Sequence, residues 1–147
     1  CIGGQLKAMY PEFYSANISV NTPLQLGLAD FIYSREYRNH LSRLQPQLMQ
    51  QVEQYRRYIL KAFAPLNIGL SQPQGGYALW LELPQKIDSL ALYLAAQQHQ
   101  INIVPGVVFG EDERYQHFVR LNAGHALTPQ LQEAILFLAE WVKQAVD

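Results

Sequence analysis

The sequence predicts an α+β domain in which a small, mostly antiparallel sheet is covered by helices on one face. One observation is the apolar run at residues 77–83, which follows Gly75-Gly76 and ends at Pro84. Proline has no N–H to donate to a neighbouring strand, so this run is typical of a strand with defined ends. The other observation is the order of the predicted elements, α-α-β-β-α-β-β-α, which contains a single crossover helix.

The first two helices are consecutive. Thr22 can cap the first, Pro23 suits its first turn, and apolar residues at helical spacing extend it to about residue 33. Ser34 can cap the second helix, which is the longest and carries an apolar residue every three or four positions up to Pro65. Pro46 lies within this pattern and is expected to kink or split the helix.

The remaining elements are shorter. Asp88 is expected to cap a third helix that reaches about residue 98, and Thr128-Pro129 begins a fourth. Further short strands are predicted at residues 68–71, 101–104 and 117–121. The first of these should pair antiparallel with residues 77–83 across the turn at residues 72–76.

Composition excludes several classes of protein. The 147 residues favour a single domain, and 11 basic against 12 acidic residues leave no basic stripe of the kind that a nucleic-acid-binding module shows. No run of about 18 apolar residues is present, so no membrane span is predicted. The single cysteine, Cys1, cannot form an internal disulfide, and no signal peptide is predicted. We therefore expect a cytoplasmic protein.

The beginning of the chain suggests a piece of a longer protein. It opens on Cys-Ile-Gly-Gly without an initiator Met, and residues 1–21 show no clear period. We interpret residues 1–21 as an approach segment from a missing upstream domain, and residues 22–147 as the domain itself. Natural processing is the alternative explanation.

Arg120 is the candidate site residue. It lies in the middle of an apolar strand, and if Val119 and Leu121 face the helices, Arg120 must point to the opposite face. A guanidinium there presents a planar fork that fits a carboxylate. The residues alone favour a plainer interpretation, a surface salt bridge, because charged residues are common on open sheet faces.

Other chemistry is not indicated. The four histidines, His40, His99, His117 and His125, show no metal-ligand spacing, and the acidic residues 111–113 lack the pattern of a calcium loop. The four lysines, Lys7, Lys61, Lys86 and Lys143, lie in polar or helical surroundings. The residues therefore predict no catalytic site and no metal site in this chain.

Three blocks in order resemble the C-terminal part of pyridoxal-phosphate enzymes of the aminotransferase class I/II fold. They are residues 73–81 (PQGGYALWL), 103–109 (IVPGVVF) and 118–122 (FVRLN). Residues 37–44 (YRNHLSRL) are more particular and are similar to the MocR-type GntR regulators, which join a winged helix-turn-helix to an aminotransferase-like domain. The resemblance covers nearly the whole chain and is weakest over residues 1–20.

The resemblance implies a role for Arg120, because the arginine at this motif position binds the α-carboxylate of the amino-acid ligand. It also implies a small domain whose open sheet face meets a large domain. The Schiff-base lysine and the other pyridoxal-phosphate ligands are then expected before Cys1, so that the cofactor belongs to the parent protein and this chain alone binds none. A homodimeric parent is implied as well.

Three functions stay open on the sequence. In the first, the parent would be a transcription regulator that senses an amino compound through pyridoxal phosphate and contacts DNA only through a missing N-terminal domain. Alternatively, it is a true aminotransferase, or the chain is an interaction domain without cofactor. A winged helix ahead of Cys1 would decide for the regulator.

Overall fold

The computed structural model describes residues 21–110 and 113–146, so the predictions for residues 1–20 lie outside the described residues. The chain divides into two compact units, with the boundary between Arg43 and Leu44. The first unit contains helix α1, Thr22–Tyr33, on which every residue is solvent-exposed. Helix α2, Arg35–Ala62, begins in this unit and runs on into the second.

The cap of α1 differs from the prediction. Asn21, not Thr22, is the N-cap, and its side chain accepts a hydrogen bond from the Leu24 N–H at 3.4 Å. Both residue types can cap a helix, and here the helix begins one residue earlier than the proline signal indicates. Ser34 caps α2 as predicted, because its hydroxyl accepts from the Tyr37 N–H at 3.1 Å.

Pro46 does not split α2. The helix is continuous through it from Arg35 to Ala62. Proline removes one helical hydrogen bond, but the turns on either side keep theirs, and the buried residues Val52, Tyr55 and Ile59 hold the C-terminal half against the core. Of the predicted kink or split at Pro46, the split is therefore wrong, and the kink stays a prediction.

The second unit contains a four-stranded antiparallel sheet. Its strands are β1, Gly69–Leu70; β2, Ala78–Glu82; β3, Val104–Pro105; and β4, Phe118–Asn122, in the spatial order β1-β2-β4-β3. Helix α3, Ser89–Gln98, and helix α4, Pro129–Val146, complete the unit, with two 3-10 turns at Gly106–Phe109 and Glu113–Tyr115 between β3 and β4. The predicted order of helices and strands and the α+β class are confirmed.

The bounds of all four strands differ from the prediction, and β1 and β2 are each shorter by one residue at either end. β3 consists of Val104 and Pro105, with Pro105 opposite Val119, whereas proline was expected to end the strand before it. β3 lies at the edge of the sheet, where a missing N–H is tolerated. β4 is displaced by one residue from the predicted 117–121, although the His117 carbonyl still accepts from the Leu83 N–H at 2.8 Å.

The core lies between the sheet and the helices. Leu79 and Leu81 of β2 and Val119 and Leu121 of β4 are buried and alternate with exposed or half-buried residues. The helices contribute Val52, Tyr55 and Ile59 of α2, Leu92 and Ala96 of α3, and Ile135, Leu138, Ala139 and Val142 of α4, and the connecting segments contribute Phe63, Leu83, Ile87, Ile103 and Ala123. Asp88 caps α3 and Thr128 caps α4, as predicted. Within the described residues, no helix combines the length and the hydropathy of a membrane span.

Candidate functional site

Arg120 lies on the open face of the sheet. The buried residues Val119 and Leu121 flank it, and Arg120 itself is solvent-exposed. In the register of the sheet it stands opposite Trp80 of β2 on one side and Val104 of β3 on the other. Its strand position therefore directs the side chain away from the helix-backed core, in agreement with the alternation in the sequence.

Four aromatic rings cover part of this face. The Trp80 ring centroid lies 5.0 Å from that of Phe109, 5.9 Å from that of Phe118 and 6.1 Å from that of Tyr115. Trp80 is half-buried as a result, whereas the sequence alone shows no cover for this face from within the chain. The cover comes from the 3-10 turns of the β3–β4 connection, which local sequence patterns do not place over the sheet.

The Arg120 guanidinium is held by a ring and not by a carboxylate. Its Cζ atom lies 5.3 Å from the centroid of the Phe109 ring, within the range of a cation–π contact. Among residues 21–110 and 113–146, no hydrogen bond or ion pair to Arg120 is formed. The surface salt bridge that the residues alone favoured is thus not formed in this part of the chain, and the five N–H donors of the guanidinium are available.

Arg120 also lines a cavity of about 370 Å³. The other lining residues are Gly75, Gly76, Tyr77, Ala78, Leu121 and Asn122. Gly75 and Gly76, from the turn that precedes β2, contribute only backbone to this lining. Gly76 has φ +77°, a conformation that residues with a Cβ rarely adopt, so the shape of this lining requires glycine.

Asn122 is a site residue that the sequence reasoning missed. Its Oδ1 atom accepts a hydrogen bond from the Gly124 N–H at 2.8 Å. Because Asn122 is two residues beyond Arg120, strand alternation alone could have placed both on one face. The local turn with Gly124, which decides the orientation of the carboxamide, is a feature of the tertiary structure.

Arg56 is a second residue that the sequence reasoning missed, because it occupies an ordinary polar position of α2. It is largely buried, with 14% of its side chain exposed, and its Nη1 donates to the carbonyls of Leu70 and Ser71. Ser71 in turn binds β2 twice, since its Oγ accepts from the Trp80 N–H and its own N–H donates to the Trp80 carbonyl, both at 2.9 Å. Arg56 thus connects α2 to the start of the turn that lines the cavity.

The structure does not bring the other candidate residues together. The His99 ring contacts the Phe137 ring in a tilted arrangement with 4.2 Å between centroids. No cluster of three His, Cys, Asp or Glu that could hold a metal exists in the described part of the chain. Lys61, Lys86 and Lys143 are exposed, and none of them lines the cavity beside Arg120. Lys7 and most of the acidic loop, residues 111 and 112, lie outside the described residues.

Comparison with known proteins identifies relatives of this chain. No protein-family model matches the chain. The chain is 32% identical over 129 residues to an uncharacterized HTH-type transcriptional regulator, YdcR, of Escherichia coli (strain K12), an alignment that covers 88% of this chain and 27% of YdcR. It is 28% identical over 102 residues to aromatic-amino-acid aminotransferase 1 of Thermococcus litoralis, covering 67% of this chain and 24% of that enzyme.

A solved structure gives the fold. Kynurenine aminotransferase of Pyrococcus horikoshii superposes with a TM-score of 0.61 and 24% identity over 80% of this chain and 28% of that enzyme. This chain is an aminotransferase-like domain. The resemblance to aminotransferases of the class I/II fold and to MocR-type regulators is therefore confirmed. The aminotransferase-like domain spans about a quarter of the length of each of these relatives.

Proposed function

We propose that the aminotransferase-like domain belongs to a cytoplasmic transcription regulator that senses an amino compound through pyridoxal phosphate, and that Arg120 binds the carboxylate of that compound. The observation that supports this most is the Arg120 guanidinium, which lines a cavity and has no carboxylate partner in the described residues. The similarity to YdcR favours a regulator. DNA would be contacted by a domain outside this chain, in a homodimeric parent.

The cofactor itself does not fit on the described residues alone. Pyridoxal phosphate needs a lysine for its Schiff base, and Lys61, Lys86 and Lys143 all lie away from the cavity. We therefore assign the cofactor to an upstream domain of the parent, connected through residues 1–21. The aminotransferase-like domain of this chain would supply the wall that recognises the ligand.

The experiment is a ligand titration of the full-length protein with a panel of amino acids, followed by cofactor absorbance. Arg120 is exposed in this chain, and the pair becomes buried only where an upstream domain of the full-length protein covers the open sheet face, as proposed. Truncating one partner of a buried charge pair costs about 2–5 kcal/mol, or about 30-fold to several thousand-fold in affinity. We expect Arg120→Ala to weaken binding by that factor while cofactor absorbance stays nearly intact. Arg120→Lys should recover little, since an ammonium is a point charge and not a fork.

Arg57→Ala is the matched control, because Arg57 is exposed and its ion pair with Glu53 lies on α2. It should bind the amino acids as the wild type does. Wild-type affinity in Arg120→Ala would contradict the proposed role of Arg120.

A true aminotransferase is the second candidate, and the similarity to aromatic-amino-acid aminotransferase 1 favours it. The same titration separates the two. Sustained formation of a keto acid from an amino-acid donor identifies the enzyme, whereas binding without turnover, together with a change in DNA affinity, identifies the regulator.

A further inference from the structure

The cavity beside Arg120 contains a second group that can donate a hydrogen bond to a ligand. Asn122 lines the same cavity and lies on the same face of β4. Its Oδ1 is already occupied by the Gly124 N–H. Since a backbone N–H can donate only to the oxygen of a carboxamide, this bond also determines where the nitrogen lies. The Nδ2 group and its two N–H donors are left without an acceptor among the described residues.

Gly124 helps to position the Asn122 side chain, which is otherwise solvent-exposed. A Cβ added to Gly124 would lie 3.0 Å from Asn122 Oδ1 and 3.2 Å from Tyr77 Cδ2, so Gly124 lies close to both side chains. The backbone contributes as well, because the Ala123 N–H donates to the Tyr77 carbonyl at 2.8 Å. The carboxamide is therefore held between the end of β4 and the beginning of β2, on the wall of the cavity.

We propose that Asn122 is a second ligand-binding residue, whose Nδ2 group donates to the carboxylate that Arg120 binds. This inference rests on the proposed function, because it takes the ligand to carry a carboxylate. A guanidinium fork occupies two of the roughly four lone-pair positions of a carboxylate, which leaves room for another donor. Because the Arg120 guanidinium and the Asn122 Nδ2 group both donate hydrogen bonds, together they favour a ligand group that only accepts them, such as a carboxylate.

Selectivity for a carboxylate over a carboxamide follows from this arrangement. Arg120 has no acceptor, and the one acceptor of the Asn122 side chain is engaged by Gly124. The NH₂ group of a ligand carboxamide would therefore face donors on both sides. The domain should accordingly distinguish an amino acid from its amide.

The test uses the full-length protein with L-alanine and L-alaninamide as probes. Asn122→Asp keeps the shape and the acceptor for the Gly124 N–H, but replaces the Nδ2 donor with a negatively charged oxygen. A hydrogen bond to a charged group contributes enough that we expect the affinity for L-alanine to fall at least about 10- to 150-fold. The affinity for L-alaninamide should change much less. Asn102→Asp is the control, since Asn102 is exposed and does not line this cavity.

A spectroscopic readout separates ligand contact from a purely structural role. In protein labelled with ¹⁵N at asparagine, the side-chain NH₂ signal of Asn122 is the one that disappears in Asn122→Ser. We expect L-alanine to shift this signal and to leave that of Asn102 in place. An unmoved Asn122 signal at saturating L-alanine overturns the inference, whatever the stability of the Asp variant.

The outcomes also distinguish this inference from the proposed function. Wild-type affinity in Asn122→Asp, with the expected loss in Arg120→Ala, overturns the role of Asn122 and leaves that of Arg120. Wild-type affinity in both variants, or no binding of any amino acid by the unsubstituted protein, overturns both.

Discussion

Arg56 offers the sharpest test of how the wall of the cavity is held. Arg56→Met keeps a side chain of similar length and removes the guanidinium that donates to the Leu70 and Ser71 carbonyls. A buried acceptor that loses its partner costs about 1–3 kcal/mol. These two carbonyls are only partly buried, so we take the lower part of that range for each and expect a loss of about 2–3 kcal/mol in the free energy of unfolding.

The neighbouring arginine is the control. Arg56 Nε lies 3.6 Å from Glu53 Oε2. Arg57 binds the same carboxylate through Nε at 3.0 Å, but 79% of its side chain is exposed. An exposed ion pair on a helix contributes only about 0.3–0.5 kcal/mol, so Arg57→Met should be nearly neutral. The contrast between two adjacent arginines isolates the contact with the turn from the loss of a positive charge.

The assay is urea unfolding of both variants, with Trp80 fluorescence as a local reporter. The chain has two tryptophans, so both variants are made in a Trp141→Phe background. Because Ser71 bonds to both backbone groups of Trp80, we expect the emission of folded Arg56→Met to differ from that of Arg57→Met. Equal unfolding free energies and identical Trp80 emission in the two variants would refute the reasoning.

Two further predictions concern backbone and burial. Gly106→Ala should destabilise the domain, because the new Cβ would clash with the carbonyl oxygens of Tyr115 and Phe118. In the control, Gly27→Ala in α1, the new Cβ meets open space, so this variant should be neutral or stabilising by up to about 1 kcal/mol. Equal shifts of the melting temperature in the two variants would contradict this prediction. Burial raises the pKa of the Tyr55 phenol. The folded state therefore keeps this proton where the unfolded chain loses it, and stability should fall as the pH rises above about 10. Tyr55→Phe should lessen this alkaline loss, and an unchanged pH dependence of urea unfolding would count against it.

The sequence by itself determined the elements and the face on which Arg120 lies. Apolar spacing predicted the order of helices and strands, because a helix or a strand buries one side at a period that is visible in the chain. The caps at Ser34, Asp88 and Thr128 are local interactions over two or three residues, and all three were predicted. The burial of Val119 and Leu121 follows from the same period, and it leaves Arg120 on the open face.

Only the tertiary structure decided what surrounds Arg120. The Phe109 ring beneath its guanidinium comes from the connection between β3 and β4, and part of the cavity wall comes from the turn before β2. Arg56 reaches that turn from α2, 15 positions earlier in the chain than Ser71. These contacts depend on how separate elements pack, and a residue pattern with a period of two or of 3.6 carries no information about partners so far apart in the chain.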